Sequence, residues 1–458
     1  MNKEVEGHNN LYIRKKILQM SWPVFLELIV GTLFGMIDMM MLGQIDDHII
    51  ATASIASVGI TNQMVFLGLS FVQALCIGGT TMISRYLGAN QKDRMGNVVK
   101  HVILMSVFFV AIPVVILAQI YTVPVMKFIG STPEVLEVGK SYFKVIVAGF
   151  IIQSYNFAMF ASLRGVQDTK PPMIINITAN LINVIGNYCL IYGKFSFPEL
   201  GVLGAGISTV FSQFLAAIMT TFYIVKFEKK LKINWFEKFK FSTTTMKNLV
   251  NIGVPASLEQ LALRGGMFLF VRIVTSLGTV AYATHQICIN ILSLSFTTGQ
   301  ALGIASSALV GYSLGLKDKK LAKAFLKEAQ KIGVVISIFV GIIFFIYGKK
   351  ITYLYNSAEE VYVLGGNLLK IVAAIQPFQT VQLLTAGGLR GAGDTVFPLI
   401  STFVGILFVR VAFSYLGVHI LHLGLYGAWM GLVLDQTTRF FLIHYRYRTD
   451  KWLDVKIA

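Results

Sequence analysis

The sequence predicts an all-α integral membrane protein with twelve transmembrane helices, arranged as two pseudo-symmetric lobes of six helices each. Three observations predict this fold class: the composition, the number of long apolar segments, and short phrases that recur half the chain apart. The chain has 458 residues, of which 55% are hydrophobic and 13% charged, and its mean hydropathy is +0.69. Because soluble domains carry about 25% charged residues, most of this chain is expected to lie in lipid.

Twelve apolar segments are long enough to cross a bilayer, since a helical span needs roughly 20 residues. A backbone exposed to lipid must satisfy its own hydrogen bonds, so each segment is predicted to be helical. The spans of the first half are 17–44, 52–84, 98–122, 137–163, 171–193 and 201–227. Those of the second half are 248–277, 281–313, 328–348, 361–389, 396–418 and 424–445.

The connections between these spans alternate in charge. Lys and Arg outnumber Asp and Glu by 39 to 22, and the cations concentrate in every second connection, above all in residues 226–247. Because cytoplasmic loops are enriched in Lys and Arg, both termini are expected in the cytoplasm. We therefore expect a multi-pass protein of a bacterial or archaeal inner (plasma) membrane, whose basic excess lies near the bilayer rather than on nucleic acid.

The long polar connection at the midpoint divides the chain into predicted domains. They are a cytoplasmic tail (1–16), an N-lobe (17–227), a cytoplasmic linker (228–247), a C-lobe (248–445) and a second cytoplasmic tail (446–458). The linker is amphipathic, and its aromatic residues are predicted to anchor it at the level of the lipid headgroups. These residues are Trp235, Phe236, Phe239 and Phe241.

Several phrases recur in the same order in both halves. LRGVQDTKPP at 163–172 returns as LRGAGDTVFP at 389–398, and SWPVFLE at 21–27 returns as GVPASLE at 253–259. Because six spans separate equivalent positions, both halves enter the membrane in the same direction. That parity predicts parallel repeats related by an axis along the membrane normal.

The LRG–DT loops follow the fourth and tenth spans and are expected on the cytoplasmic face. Arg164 with Asp168, and Arg390 with Asp394, are predicted to form structural ion pairs beside helix ends that Gly and Pro define. The alternative is that these loops help to close a cytoplasmic gate.

Asp38 lies deep in the first span, with apolar neighbours on both sides until Gln44. A carboxylate in that setting must be protonated, paired or bound to a cation, so it is a candidate site for Na⁺ or H⁺. The alternative is an inert core acid held by hydrogen bonds.

An asparagine stripe runs along the fifth span, because Asn176, Asn180, Asn183 and Asn187 recur at helical spacing. Amide oxygens are hard, neutral ligands that suit Na⁺ beside one carboxylate, so Na⁺ is expected at Asp38, Asn183 and Asn187. Hydrogen bonding between helices is the alternative role for these amides.

Four phrases together resemble the multidrug and toxic compound extrusion (MATE) transporters, in particular bacterial NorM- and DinF-like members. They are FGMIDMMMLGQI in the first span, the LRG–DT loops, NVIGNYCLIYG in the fifth span and TVAYATHQICINILSLSF at the eighth. The resemblance extends from about Leu18 to about Arg446. It implies a V-shaped pair of six-helix lobes and a multidrug efflux antiporter that exports organic, mostly cationic amphipathic compounds by alternating access. The expected coupling ion is Na⁺ or H⁺, with no other cofactor, and the expected state is a monomer in the bilayer.

The same resemblance assigns residues. It places the coupling acid at Asp38 and implies that Tyr142 and Thr209 complete the ion site with Asn183 and Asn187. Many relatives carry Asp where this chain has Asn187, and that difference favours Na⁺ over a proton shared between two carboxylates.

The candidates for the C-lobe and the substrate cleft are less defined. NorM-type relatives place an acid where this chain has Leu263, so Glu259 either replaces that acid or pairs locally, for example with Arg264. Glu27 occupies the equivalent place in the N-lobe. Arg410 is expected to snorkel or to form an ion pair. The cleft candidates are Glu27, Glu259, Gln260, Gln286 and Asn290.

Two other classes of protein fit the sequence less well. A lipid-linked oligosaccharide flippase of the same superfamily would require a large basic cavity, whereas cations within the spans are few, mainly Arg264, Arg272 and Arg410. A membrane-embedded enzyme is disfavoured because the sequence contains no G-x-x-x-x-G-K-[ST], HExxH or GxSxG motif, so the chain is expected not to be an enzyme.

Overall fold

The computed structural model describes residues 10–231, 233 and 239–456, and within these ranges every regular element is a helix. The helices of the first half are α1 Asn10–Gly43, α2 His48–Gly88, α3 Lys92–Ile120, α4 Thr122–Ile129, α5 Pro133–Gly165, α6 Lys170–Ile191 and α7 Gly201–Lys226. Those of the second half are α8 Thr243–Thr275, α9 Thr279–Gly315, α10 Lys319–Tyr355, α11 Glu359–Gly391, α12 Val396–Ile420 and α13 Gly424–Arg448. A 3₁₀ turn at Lys451–Asp454 follows.

The all-helical membrane class predicted from the sequence is confirmed. Among the described residues, 9 helices are long and apolar enough to cross a membrane. The three other predicted spans coincide with α5, α8 and α13, whose lengths are 33, 33 and 25 residues. The count of twelve spans stays a prediction. The sequence did not predict α4, which lies in the connection after the third span.

The polar segments are more ordered than the sequence predicted. Helix α1 begins at Asn10, inside the predicted tail of residues 1–16. In the other predicted tail, Trp452 is fully buried and packs in a core cluster with Ile13 and Ile17. Of the predicted linker anchors, Phe239 and Phe241 lie against the ring of His101, at centroid distances of 4.8 and 5.6 Å. Trp235 and Phe236 are outside the described residues.

The chain forms two compact units. The N-unit is Leu26–Gly253, and the C-unit combines Met1–Phe25 with Val254–Ala458. Each division falls inside a helix, so the first part of α1 belongs to the C-unit and the first part of α8 belongs to the N-unit. The predicted lobes of 17–227 and 248–445 instead assign each predicted span to a single lobe, and their limits stay a prediction.

Candidate functional site

Asp38 and Asn187 meet inside the N-unit, where α1 passes α6. Asn187 donates a hydrogen bond from Nδ2 to Oδ1 of Asp38 over 2.8 Å. One turn earlier on α6, Asn183 donates to Oδ1 of Asn187 at 3.4 Å and to the Thr209 hydroxyl at 3.1 Å. Both amides are buried. Four of the five predicted coupling-ion residues, on α1, α6 and α7, therefore form one connected polar group.

A cavity of about 180 Å³ opens beside this group. Asp38, Tyr142, Asn187 and Thr209 line it, while Asn183 lies behind them and contacts Asn187 and Thr209. The structure thus brings together all five predicted ion-site residues. The remaining lining residues are Gly35, Met39, Leu42, Val58, Asn62, Val65, Ile146, Gly149, Gln153, Ala205, Val210 and Gln213.

Small residues allow α5, α6 and α7 to approach closely enough to build this cavity. A Cβ atom added at Gly186 would stand 2.3 Å from Oγ of Ser208, and one at Gly206 would stand 2.9 Å from the Tyr142 ring. The Ser208 hydroxyl donates to the backbone carbonyl of Asn183 at 2.8 Å. Close backbone approach through small residues is a usual means of joining helices in lipid, where no hydrophobic force drives them together.

The chemistry of this group suits a small cation. Asp38 supplies one carboxylate, and the amide and hydroxyl groups around it supply neutral oxygens, which hard cations prefer. An ionised carboxylate in the bilayer requires a compensating charge or hydrogen bonds. Here the hydrogen bond from Asn187 provides part of that compensation.

Three further amides that the sequence analysis did not single out also line the cavity. They are Asn62 on α2, Gln153 on α5 and Gln213 on α7. Gln213 also accepts a hydrogen bond from Nδ2 of Asn156, at its side-chain oxygen, over 3.0 Å. In the sequence, each of these residues is an isolated amide within an apolar span. Many such amides only form hydrogen bonds between helices, so the sequence pattern did not distinguish the amides that line the cavity from those that do not.

The other half of the asparagine stripe has a different environment. Asn176 donates from Nδ2 to Oε1 of Glu27 at 2.6 Å, and Asn180 donates to the backbone carbonyl of Asn176 at 2.9 Å. Neither residue lines the cavity of the described N-unit. Helical spacing therefore placed four amides on one face of α6, but it did not distinguish the pair beside the cavity from the pair near Glu27.

The predicted ion pair between Arg164 and Asp168 is wrong. Nη2 of Arg164 lies 2.7 Å from Oε1 of Glu27, while Asp168 accepts a hydrogen bond from the Tyr223 hydroxyl over 2.8 Å. The physical reason is the turn between them, where Gln167 adopts a φ of 65° and reverses the chain. Arg164 therefore stays with α1, and Asp168 lies against α7.

The second LRG–DT loop has the same arrangement in the C-unit, so the predicted pair of Arg390 and Asp394 is also wrong. Nη2 of Arg390 lies 2.5 Å from Oε1 of Glu259, and Nε of Arg446 lies 2.6 Å from Oδ2 of Asp394. Glu259 pairs with Arg390 rather than with the predicted local partner, Arg264. Each LRG–DT loop therefore contacts both the first and the last helix of its half of the chain.

The cleft candidates therefore divide into two groups. Glu27 and Glu259 are buried in ion pairs within their own units. Gln260 is half-buried, and Gln286 and Asn290 lie on an exposed face of α9. The assignment of all five residues to a substrate cleft stays a prediction.

The C-unit contains a buried charge cluster that the sequence analysis missed in part. Asp435 on α13 is fully buried, and its carboxylate lies 2.5 Å from Nη2 of Arg410 and 2.9 Å from Nε of Arg439. Of the two alternatives for Arg410, the ion pair is confirmed. The sequence feature that could have identified Asp435 and Arg439 is the spacing of an Asp and an Arg four residues apart in the last apolar span.

Long apolar helices around a polar, acid-bearing cavity define a multi-pass membrane transporter. The MatE family model matches residues 23–189 and 255–416. The chain therefore belongs to this family, the multidrug and toxic compound extrusion transporters, and the resemblance noted in the sequence is confirmed.

Curated relatives match along nearly the whole chain. A probable multidrug resistance protein NorM of Thermotoga maritima is 29% identical over 440 residues, which are 96% of this chain and 93% of that protein. The multidrug resistance protein MdtK of Proteus mirabilis is 27% identical over 441 residues, or 92% of each chain. These relatives carry the names of transporters, which agrees with the expectation that the chain is not an enzyme.

Solved structures establish the fold. A crystal structure of MATE in the bent conformation covers 97% of both chains, with a TM-score of 0.88 and 21% identity. An outward-facing multidrug resistance MATE family transporter covers 95% of this chain and 96% of its own, with a TM-score of 0.86 and 22% identity.

Proposed function

We propose that this protein is a cation-coupled multidrug efflux antiporter that exports organic, mostly cationic amphipathic compounds by alternating access. The observation that carries the proposal is the Asp38 carboxylate, held by Asn187 beside a cavity within an apolar helical unit. The names of NorM and MdtK relatives support the substrate class.

The cavity supports binding of an ion rather than a whole drug molecule in this conformation. Its volume is about 180 Å³, whereas sites for drug-sized ligands occupy about 300–1,000 Å³. We assign Na⁺ or H⁺ to Asp38, with Asn183, Asn187, Tyr142 and Thr209 as the supporting residues. Because the group contains one carboxylate among neutral oxygens, Na⁺ is the ion that its composition favours.

Coupling follows if the ion and the drug stabilise different arrangements of the protein. A ligand shifts a conformational equilibrium only by its difference in affinity for the two states, and the linkage between two ligands is reciprocal. Ion binding at Asp38 would therefore weaken drug binding, and drug binding would weaken ion binding. An inward ion gradient then drives drug outward.

The membrane arrangement completes the proposal. We place both termini in the cytoplasm of a bacterial or archaeal cell, with the protein a monomer in the inner membrane. The LRG–DT loops lie on the cytoplasmic side in this orientation. The supporting observation is the alternation of basic and acidic connections along the sequence.

The alternative of a lipid-linked oligosaccharide flippase receives no support from this cavity. A pyrophosphate group requires cationic side chains, and no Lys or Arg is among the described residues that line the cavity. The single charged group in that lining is Asp38, whose sign would repel pyrophosphate.

Ethidium efflux from reconstituted vesicles tests the proposed function. Na⁺ and pH gradients are imposed separately, at matched membrane potential, and the initial rate is compared with that of vesicles lacking the protein. We expect a response to the Na⁺ gradient. A response to the pH gradient alone would assign H⁺, and no response to either gradient would contradict the antiporter.

A further inference from the structure

Two helices, α1 and α8, each belong to both compact units. Helix α1 leaves the C-unit after Phe25, and α8 leaves the N-unit after Gly253. Each carries a proline inside the helix within two residues of that division, Pro23 in α1 and Pro255 in α8. A proline removes one backbone hydrogen bond and weakens the helix locally, so both helices are easiest to bend where they change unit.

A buried carboxylate follows each proline on the far side of the division. Oε1 of Glu27 accepts from Arg164 at 2.7 Å and from Asn176 at 2.6 Å, within the N-unit. In the C-unit, Glu259 accepts two hydrogen bonds from Arg390, at 2.5 and 3.2 Å. Both carboxylates are at least 90% buried, with side-chain exposures of 7% and 3%.

The two ion pairs are equivalent in the repeat. Both acids stand four residues after their proline, and both arginines come from an LRG–DT loop. A single buried ion pair is weak support for stability, because desolvation offsets much of the attraction between the charges. The same pair stands beside the proline at both helix divisions, where it contacts the segment that follows the proline.

We infer that the Glu27–Arg164 and Glu259–Arg390 pairs are positioning contacts for transport. Each pair holds the segment after the proline to the unit that the helix has just entered. Bending during transport is then concentrated at Pro23 and Pro255 and does not spread into the following turns. In α1 the held segment lies between Pro23 and Asp38. This inference rests on the proposed function for its transport readout.

The test compares E27Q and E259Q, and the charge-exchanged variants E27R/R164E and E259R/R390E, with wild-type protein. The Gln variants keep the size and shape of the side chain, remove its charge and replace one accepting oxygen with an NH2 donor. Y223F is the matched control, because it removes the other contact of the first LRG–DT loop, that to Asp168. E27D is a second variant that keeps the charge if an exchanged variant fails to fold.

Two measurements are made on folded, monodisperse protein. The first is the efflux rate in vesicles, where E27Q and E259Q are expected to lower Vmax by at least about tenfold with KM and ion affinity within about twofold. The second is hydrogen exchange of backbone amides in residues 24–31 and 256–263, which is expected to accelerate by at least about tenfold. The charge-exchanged variants should return Vmax and the amide exchange rate to within about threefold of wild type. E27D, which keeps the negative charge, should stay within the same range, and Y223F should change neither Vmax nor the exchange rate.

The inference is overturned if E27Q and E259Q keep wild-type Vmax and amide exchange. It is also overturned if transport falls only in proportion to the loss of folded protein, since that result indicates a structural role alone. D38N separates this inference from the proposed function: it should lose ion-driven efflux while exchange around Pro23 stays at the wild-type rate. If no ion drives transport, the amide exchange of E27Q and E259Q still decides the positioning role.

Discussion

Asn187 on α6 donates a hydrogen bond to the Asp38 carboxylate on α1 over 2.8 Å, and this contact joins the two helices at the cavity. A carboxylate within an apolar helix is stabilised by hydrogen bonds from neighbouring helices, and Asn187 donates one of them to Asp38.

Asp38→Asn is expected to reduce ion-driven efflux by at least about a hundredfold, because the amide can neither hold a proton nor balance the charge of Na⁺. The measurement is the initial rate of ethidium efflux under an imposed gradient. Asp46→Asn is the matched control, since Asp46 is an exposed acid in the connection after α1. Equal rates for Asp38→Asn and wild type would remove Asp38 from the coupling mechanism.

Asn187→Asp is expected to change the coupling ion from Na⁺ towards H⁺. The new carboxylate would contact Asp38 at hydrogen-bond distance, and two like charges so close favour sharing one proton. Efflux driven by a pH gradient should rise by at least about fivefold relative to Na⁺-driven efflux. Asn180→Asp introduces the same charge on α6 away from the cavity. An unchanged ratio of the two rates in Asn187→Asp would contradict this prediction.

Gly186→Ala is expected to lower both thermal stability and ion affinity. The added Cβ would stand 2.3 Å from the Ser208 hydroxyl, so Ser208 must move, and the backbone carbonyl of Asn183 loses the hydrogen bond that Ser208 donates to it. Overpacking of this kind costs about 1–3 kcal/mol. Thermal unfolding in detergent and Na⁺ titration measure the two effects. Gly59→Ala on α2, where an added Cβ meets nothing within 4 Å, should leave both unchanged.

Asp435→Asn is expected to destabilise the C-unit strongly. It removes the carboxylate that Arg410 and Arg439 both contact inside the protein. Removal of one partner from a buried ion pair costs about 3–5 kcal/mol, because a buried charge loses its compensation. Asp454→Asn is the control, since its pair with Lys319 is exposed and such pairs contribute about 0–1 kcal/mol. Equal thermal midpoints for the two variants would show that the cluster contributes little to stability.

The residues of the proposed ion site could be singled out from the sequence because they are exceptional for their surroundings. An Asp in an apolar span and four Asn residues at helical spacing are rare enough to stand out. Tyr142 and Thr209 came only from resemblance to the MATE family, since Tyr and Thr are common in membrane helices. Asn62, Gln153 and Gln213 remained hidden because an amide joining two helices and an amide facing a cavity have the same sequence pattern.

The asymmetry of the two halves was also visible in the sequence, although its chemistry was not. The repeat places Phe270 opposite Asp38. In the structure Phe270 is buried, and the guanidinium of Arg410 lies 5.6 Å from the centre of its ring. The C-unit thus has a cation near the position where the N-unit has an acid, and this difference agrees with the proposal of an ion site in the N-unit.

The sequence by itself determined the membrane class and the helical fold, because hydrophobicity and short-range helical geometry depend on neighbouring residues. It also predicted the parallel repeat, because the recurring phrases are separated by six spans. Only the tertiary structure decided the partners of the charged residues. Arg164 and Asp168 are close in sequence, yet the turn between them directs one to Glu27 on α1 and the other to Tyr223 on α7. An ion pair depends on which helices pack together, and proximity along the chain does not determine that packing.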